Sequence, residues 1–139
     1  MKRETRNIKL LMVLLLGSIV TGYSGLAYAQ NEVTVKQEKA ALKKAKKIRQ
    51  RILRGADFSK MAQEHTDDPG SAATGGNLGV VDWGQFVPEF EEAVTQLEVG
   101  ELSEPVRTPF GYHIIQLLDR TEKQFHTRHI LVKPLVKSP

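Results

Sequence analysis

The chain has 139 residues, which is room for one domain and little else, and a formal net charge of +4. Residues 1–29 carry four of the 20 basic residues and one of the 16 acidic ones, so the remainder from Gln30 has a net charge of only +1. A near-neutral remainder gives no reason to expect a nucleic-acid-binding surface. The sequence has no cysteine, which excludes disulfides, thiolate catalysis and lipid attachment through a cysteine.

The first 29 residues are expected to be a secretory signal peptide that is cleaved after Ala29. A basic start is followed by an apolar run over residues 10–20 and by Ala27-Tyr28-Ala29, which has small residues at the two positions that signal peptidase reads. The run is shorter than the roughly 18–20 residues that span a bilayer, so a membrane anchor is the less favoured alternative. The segment predicts export, to the periplasm in the first place or to the outside of the cell.

Two helices are predicted next. Val33 and Val35 alternate with polar residues in a short lead, and residues 36–54 then form a helix whose apolar stripe is Ala41, Ala45, Ile48 and Ile52, widened by Leu42 and Leu53. Lys and Arg cover much of its remaining surface, which is expected to be solvated, with acidic clients or anionic lipid as alternative partners. Gly55 ends this helix, and Asp57 caps a second, short one.

The rest of the chain is predicted to form a sheet with one further helix. Pro88 begins that helix, whose apolar face consists of Phe90, Ala93, Val94 and Leu97. Three strands and a fourth strand candidate are expected at residues 77–81, 102–108, 112–118 and 128–132. Helices and strands do not alternate strictly, which favours an α+β fold with a mainly antiparallel sheet.

General motifs for chemistry are not recognisable in the sequence. We find no metal-binding cluster, no phosphate-binding loop and no nucleophile elbow. The neighbouring acids Asp67 and Asp68 lie in a predicted loop, where such pairs are more often turn formers than acid–base partners. The residue types alone therefore do not identify an activity.

A series of six short motifs is more informative than any single residue. In chain order they are Gly55-Ala56-Asp57-Phe58, Asp67-Asp68-Pro69, Gly75-Gly76-Asn77-Leu78-Gly79, Gly84-Gln85-Phe86-Val87-Pro88-Glu89-Phe90, Gly100-Glu101-Leu102-Ser103-Glu104-Pro105-Val106 and Phe110-Gly111-Tyr112-His113-Ile114-Ile115. This series resembles the parvulin family of peptidyl-prolyl cis/trans isomerases over residues 38–119. The likeness is closest to exported bacterial members, including the periplasmic chaperone-isomerases.

The resemblance implies a four-stranded antiparallel sheet surrounded by helices, with a substrate groove on one face. Leu78, Phe86 and Phe90 match the positions that wall the family's proline pocket. Phe110, also assigned to this groove, replaces a serine of the phosphate-directed members, and no basic cluster follows the later His-Ile-Leu-Val segment. Specificity for phosphoserine-proline is therefore not expected. Without the resemblance, the three pocket residues would be interpreted as ordinary core residues.

Three polar residues carry over as the implied catalytic group. His113 matches the histidine of the family's last strand, Asp68 stands where the family has Cys or Asp, and Thr108 matches a hydroxyl position beside the histidines. Rotation about a prolyl bond crosses a barrier of roughly 18–20 kcal/mol set by amide resonance and breaks no bond, so neither a nucleophile nor a cofactor is required. His113 and Asp68 also have plainer interpretations, as a satisfied buried histidine and a turn residue.

The strand that opens the family's domain lies at the other end of this sequence. The family begins with a His-Ile-Leu-Val strand ahead of the first helix, whereas here Thr127-Arg128-His129-Ile130-Leu131-Val132-Lys133 follows the domain. In tandem-domain relatives such a segment opens the second domain, so a deletion or truncation would produce this order. A hairpin that places residues 126–133 in the vacant position would restore His129 opposite His113 as a further catalytic residue. Residues 32–36, or a strand donated by a second molecule, are the alternatives.

The sequence thus predicts a peptidyl-prolyl cis/trans isomerase that acts on X-Pro bonds of exported, unfolded clients without a cofactor. Its parts are the signal peptide, a parvulin-like domain over residues 30–119, and a linker with a C-terminal strand over residues 120–139. Expected partners are unfolded or extended proline-containing polypeptides, without nucleic acid and with membrane contact only during export, and the expected state is a monomer or a strand-swapped dimer. The alternatives are a non-catalytic, peptide-binding chaperone module and a truncated remnant of a tandem-domain isomerase.

Overall fold

The computed structural model describes residues 24–135, with side chains from residue 34 onward. Residues 1–23, and with them most of the predicted signal peptide, lie outside the described part, as do residues 136–139. The chain divides between Lys36 and Gln37 into two units, and the described part of the first unit is helical. Across residues 24–135 no helix has both the length and the apolarity to cross a bilayer.

The first helix, α1 (Ser24–Leu53), is longer than the sequence indicated. The short lead predicted ahead of residue 36 is part of the helix, so the alternative in which residues 32–36 fill the vacant strand position was wrong. Helix-forming neighbours outweigh two valines, because every residue added to a started helix gains a backbone hydrogen bond. The predicted inner face is confirmed for Ala41, Ala45 and Ile48, which are buried. Leu53 is 54% exposed, since at about 100° per residue it lies outside that face.

Two short helices follow α1. Gly55, at φ 101°, terminates α1, and the Asp57 carboxylate accepts a hydrogen bond of 2.8 Å from the Lys60 N–H at the start of α2 (Phe58–His65), both as predicted. The predicted loop at residues 66–76 contains a single helical turn, α3 (Pro69–Ala72), for which Asp68 is the N-cap. The loop acid is therefore held in a fixed position by the turn that it caps.

The remaining elements form the predicted sheet and helix. In chain order they are β1 (Asn77–Asp82), α4 (Pro88–Thr95), β2 (Val106–Thr108), β3 (Gly111–Arg120) and β4 (Gln124–Val132). The strand order is β1-β4-β3-β2 and all three pairs are antiparallel. The α+β fold with a four-stranded antiparallel sheet is thus confirmed. The strand expected at residues 102–108 is shorter, and Leu102 makes only an isolated bridge to Gln116.

The C-terminal strand completes the sheet within the same chain. β4 forms a hairpin with β3 and lies between β3 and β1, which is the arrangement that the sequence predicted for residues 126–133. The register pairs His113 with Leu131 and Ile115 with His129. The two histidines are therefore diagonal neighbours on one face, close enough for side-chain contact, and not direct partners.

The two faces of the sheet carry separate cores. On the α1 face, α1 and α2 pack against buried strand residues that include Ile114, Ile130 and Val132. On the α4 face, Phe90 and Val94 of α4 pack in a second cluster with Ile115, Leu117 and Phe125. Successive strand residues point to opposite faces, so His113 and His129 lie on the α4 face.

Candidate functional site

Four polar side chains form an unbroken line on the α4 face. Asp68 Oδ2 lies 2.8 Å from His129 Nε2, His129 Nδ1 lies 3.0 Å from His113 Nδ1, and His113 Nε2 lies 2.7 Å from Thr108 Oγ1. The Ser71 hydroxyl joins at one end, donating to Asp68 Oδ2 at 2.5 Å and lying 3.2 Å from His129 Nε2. Apart from Asp68, these residues are at most 5% exposed, so they interact with one another and not with bulk water.

Local backbone structure fixes the two ends of this line. Asp68 Oδ1 accepts the Gly70 N–H at 3.0 Å as the cap of α3, which leaves Oδ2 for His129. Thr108 ends β2, where Phe110 N–H donates to its Oγ1 at 3.2 Å.

Gly76 holds β4 close to the segment that precedes β1. The His129 N–H donates to the Gly76 carbonyl at 2.8 Å, and a Cβ on Gly76 would lie 2.2 Å from the His129 carbonyl oxygen. Gly76 also has a φ of 82°, in the left-handed region. Glycine at this position therefore lets the histidine strand pack close to the Asp68 turn.

When both imidazoles are neutral, one arrangement of protons satisfies every hydrogen bond in the line. The Asp68 carboxylate can only accept, so His129 carries its proton on Nε2 and presents a bare Nδ1. His113 must then donate a hydrogen bond from Nδ1 to His129 Nδ1. Its Nε2 accepts the hydrogen bond that the Thr108 hydroxyl donates. Both imidazoles are neutral in this arrangement, and no ring N–H is left for another partner.

The electrostatics agree with neutral histidines. Burial lowers the pKa of His113 to about 4, and the neighbouring His129 adds to the shift. Burial also lowers the pKa of His129, although the hydrogen bond and charge of Asp68 oppose the change. For Asp68, burial alone would raise the pKa, but hydrogen bonds from Ser71, His129 and the Gly70 N–H outweigh it, so the pKa is lowered. At neutral pH the site thus holds one carboxylate and two uncharged rings.

An open apolar pocket of about 410 Å³ lies beside this line. The Phe86 and Phe90 rings stack at 4.9 Å, and Phe90 meets the His113 and His129 rings edge-on at 5.4 and 6.1 Å. Phe110 at the rim is 59% exposed. The volume is within the range of ligand pockets, about 300–1,000 Å³, and suits a small apolar group.

The structure brings the eight residues singled out from the sequence into one place. Seven line the pocket: Asp68, Leu78, Phe86, Phe90, Phe110, His113 and His129. Thr108, at 2% exposure, does not line it and bonds to His113 from behind. Phe90 is both a pocket residue and a core residue, being 1% exposed and packed in the α4-face cluster. The core and pocket interpretations are therefore compatible for this residue.

Sequence reasoning missed Ser71 and did not single out the pocket residues Val87, ahead of α4, and Leu131, on β4. Ser71 follows the cap residue Asp68 by three positions, a spacing at which an N-cap and a first-turn side chain meet. That spacing was the available signal for its hydrogen bond to Asp68. Leu131 and Val87 also line the pocket, but nothing in their residue type distinguishes them from core.

Comparison with known proteins supplies a family context. The family model described as Rotamase, PPIC-type PPIASE domain, matches residues 26–119. The chain is 57% identical over 76 residues to Chaperone SurA of Nitrosococcus oceani, a match that covers 55% of this chain and 18% of that protein. It is 47% identical over 94 residues to Foldase protein PrsA of Geobacillus kaustophilus, covering 68% of this chain and 32% of that protein.

A solved structure is similar as well. The crystal structure of peptidylprolyl isomerase PrsA from Bacillus cereus aligns with a TM-score of 0.56 at 48% identity, covering 59% of this chain and 32% of that one. The chain thus spans only 18% to 32% of the length of these relatives. The family match ends at residue 119, so β4 and His129 lie beyond it.

Proposed function

Because the chain belongs to the PPIC-type peptidyl-prolyl isomerase family, the parvulins, we propose that it catalyses the cis/trans isomerisation of X-Pro bonds in exported, unfolded polypeptides without a cofactor. The observation that carries the proposal is the pair of neutral, hydrogen-bonded histidines, held by Asp68 and Thr108, that forms one wall of an apolar pocket. A site of this kind offers a dry, preorganised surface and no reactive nucleophile. Prolyl isomerisation needs only such a surface, because no covalent bond is made or broken.

In the proposed complex the proline ring occupies the apolar pocket between Leu78, Phe86 and Phe90. Amide resonance, which keeps the prolyl bond planar, separates charge and is favoured by water. Transfer of the bond from water to an apolar wall therefore weakens the resonance and lowers the barrier to rotation. Because Phe86 and Phe90 already stack on each other and Phe90 already meets the histidine rings edge-on, little side-chain entropy is lost on binding.

The polar line is proposed to hold the histidine wall of the pocket rigid and neutral. Asp68 and Thr108 use up the outer nitrogens of the two rings, and the inner nitrogens bond to each other. A cationic ring would attract water and would stabilise the planar, charge-separated amide. Thr108 acts as a positioning residue, since it contacts His113 and does not line the pocket.

Isomerisation of a short X-Pro peptide, followed without a coupled protease, tests the proposal on the form that begins at Gln30. We expect this form to accelerate the reaction. We expect His113→Ala to lower kcat/KM by about tenfold or more, equal to a loss of about 1.4 kcal/mol of transition-state stabilisation. His126→Ala is the matched control, because His126 is a histidine of the neighbouring strand β4 that bonds to Asn77 and does not line the pocket.

A second variant keeps the test decisive if His113→Ala unfolds. Leu78→Ala truncates a half-buried pocket wall outside the fully buried core, and we expect it to raise KM. An inactive but folded wild-type chain, or full activity in both pocket variants, would overturn the isomerase proposal.

A non-catalytic client-holding role is the second candidate, and one observation favours it. Phe110 exposes 59% of its surface at the pocket rim, where it can contact an extended chain without contributing to bond rotation. Suppression of aggregation of an unfolded client measures this role separately. A folded His113→Ala variant that loses isomerisation but still holds client separates the two functions, and Phe110→Ser should reduce holding more than catalysis.

Export is also part of the proposal. The basic start, the apolar run at residues 10–20 and Ala27-Tyr28-Ala29 support cleavage after Ala29, with a domain over residues 30–119 and a linker and final strand over 120–139. The relatives named foldase and chaperone are consistent with clients that are unfolded polypeptides. N-terminal sequencing of the exported protein should give Gln30 as the first residue, whereas Met1 would contradict cleavage.

A further inference from the structure

Charge is strongly segregated along the described chain. Residues 39–54 contain eight Lys or Arg and no acidic residue, whereas residues 55–135 contain six Lys or Arg and thirteen Asp or Glu. The small net charge of the molecule therefore conceals one strongly positive segment and a negative remainder. The positive segment is the second half of α1 with the residue that follows it.

The positive residues of α1 form one continuous surface, which we call the basic face: Lys39, Lys43, Lys44, Lys46, Lys47 and Arg51. All six are exposed. With about 3.6 residues per turn they cover an arc of about 160° over a length of about 18 Å. The arc lies away from Ala41, Ala45 and Ile48, which pack into the core on the inner side of the helix.

The protein itself does little to neutralise the basic face. Within the described residues, the helix cation that pairs with a carboxylate is Arg49, which binds Glu104 at 2.8 Å and lies about 60° outside the arc. Arg51 contacts His65, at 3.4 Å. A partner that supplies negative charge would therefore meet a surface whose charges are not already satisfied by ion pairs.

We propose that the basic face docks the protein on an anionic lipid bilayer. Several lysines on one helix face attract such a surface with about 1 kcal/mol each. α1 packs on the sheet face opposite to His113, His129 and the pocket, so docking through α1 leaves the pocket open to the solvent. This inference does not depend on the proposed isomerase activity, and it replaces the expectation from sequence that membrane contact occurs only during export.

The composition of the face favours a lipid surface over an acidic polypeptide. Five of its six members are lysines, which are mobile point charges, whereas specific peptide binding usually relies on apolar or aromatic anchors set in a pocket. Neither the pocket beside the histidines nor the open cleft formed by Asp82 and residues 121–124 is lined by a residue of the basic face. Leu53, 54% exposed near the end of α1, can enter the headgroup region beside the face.

Co-sedimentation of the full chain with lipid vesicles tests the proposal. We compare phosphatidylcholine vesicles with vesicles that contain about 30% phosphatidylglycerol, and expect binding to the anionic ones that high salt removes. Lys43→Gln with Lys47→Gln removes two central charges and keeps helix propensity, and should weaken binding about 25-fold. Every variant keeps the apolar segment at residues 10–20, so its contribution cancels in the comparison.

The control carries the same change of charge elsewhere. Lys123→Gln with Lys133→Gln removes two exposed lysines outside α1, and its vesicle binding should remain near that of the wild type. If both double variants lost vesicle binding equally, the net charge of the protein and not the basic face would explain the binding, and the proposal would be overturned. Binding to polyglutamate without binding to anionic vesicles would also overturn it, in favour of an acidic polypeptide partner.

Discussion

Tyr112 and His113 are consecutive residues of β3, and their side chains belong to two polar clusters on opposite faces of the sheet. Tyr112, on the α1 face, lies under the Arg107 guanidinium at 5.4 Å. Arg107 in turn forms a two-pronged ion pair with Glu38 of α1, at 2.9 and 2.6 Å. This cluster is charged and partly exposed, and the hydrogen bonds from Arg107 lower the pKa of Glu38 against the opposing effect of burial.

His113 belongs to the opposite kind of cluster. It is 5% exposed, and burial rather than a counter-charge is the main influence on its pKa. Because water reaches the α1 face, an ion pair there has only a small desolvation cost. On the α4 face water is excluded, so the histidines stay neutral and are joined by directed hydrogen bonds. The pocket is therefore distinguished by the burial that keeps its two histidines uncharged, and not by the mere presence of polar residues.

The largest expected effect comes from removing the strand that serves both faces. β4 supplies Ile130 and Val132 to one core and Phe125 to the other, and it lies between β1 and β3. A chain that ends at Lys123 should therefore lose cooperative unfolding in denaturant and all isomerase activity, because two interior strand edges would be left unpaired. A chain that ends at Lys133 keeps β4 and is the control. A cooperative, active chain ending at Lys123 would contradict the observed topology.

A smaller effect is expected from acid, and it arises on the α4 face. Unfolded His113 binds a proton near pH 6.5, whereas the folded residue does so only near pH 4. The folded state thus keeps its full stability above about pH 6.5 and loses up to about 3 kcal/mol as the pH falls towards 4. His129 acts in the same direction, and Asp68 contributes a further loss only in stronger acid. Denaturant unfolding between pH 7 and pH 4 measures this slope.

A variant assigns the slope to its residue. His113→Gln cannot titrate and should have a flatter dependence of unfolding free energy on pH, whatever its absolute stability. His126→Gln, which changes a histidine outside the pocket, should keep the slope of the wild type. The same slope in all three proteins would show that the neutral state of His113 is not what acid disrupts.

The smallest effect is expected on the α1 face. Glu38→Gln breaks an ion pair whose side chains are 29% and 43% exposed, so we expect a loss of only about 0.2–1 kcal/mol in unfolding free energy. Isomerase activity should not change, since Glu38 packs on the other face from the pocket. The folded pKa of Glu38 is lowered, so this contribution is present at neutral pH and disappears in acid. If Glu38→Gln lowered the unfolding free energy as much as protonation of His113 does, the two clusters would not differ in the way proposed.

Much of the fold could be predicted because local rules and tertiary packing agree. The stop at Gly55, the cap at Asp57 and the buried face of α2 follow from residue type and spacing, and the structure has all three. The hairpin of β3 and β4 was predictable because an unfilled position in the sheet is costly. The start of α1 was not, because Val33 and Val35 taken alone resemble a strand, and only the helix around them decides otherwise.

The sequence predicts which residues form the site, but not how their side chains contact one another. The motif series identified His113, Asp68 and the pocket residues, but spacing along the chain does not reveal that the imidazoles meet diagonally through their Nδ1 atoms. Ser71 escaped notice because a serine in a turn has many local uses. The direction of the hydrogen bonds along the line depends on the Asp68 carboxylate, which is sixty-one positions from His129 in the chain. No local sequence pattern predicts a contact over that separation.

¹⁵N NMR of the imidazole rings at neutral pH reports whether the two pocket histidines are neutral and have opposite tautomers. We expect a proton on Nδ1 but not Nε2 of His113, and on Nε2 but not Nδ1 of His129. A doubly protonated ring at either position, or the same tautomer at both, would contradict this expectation.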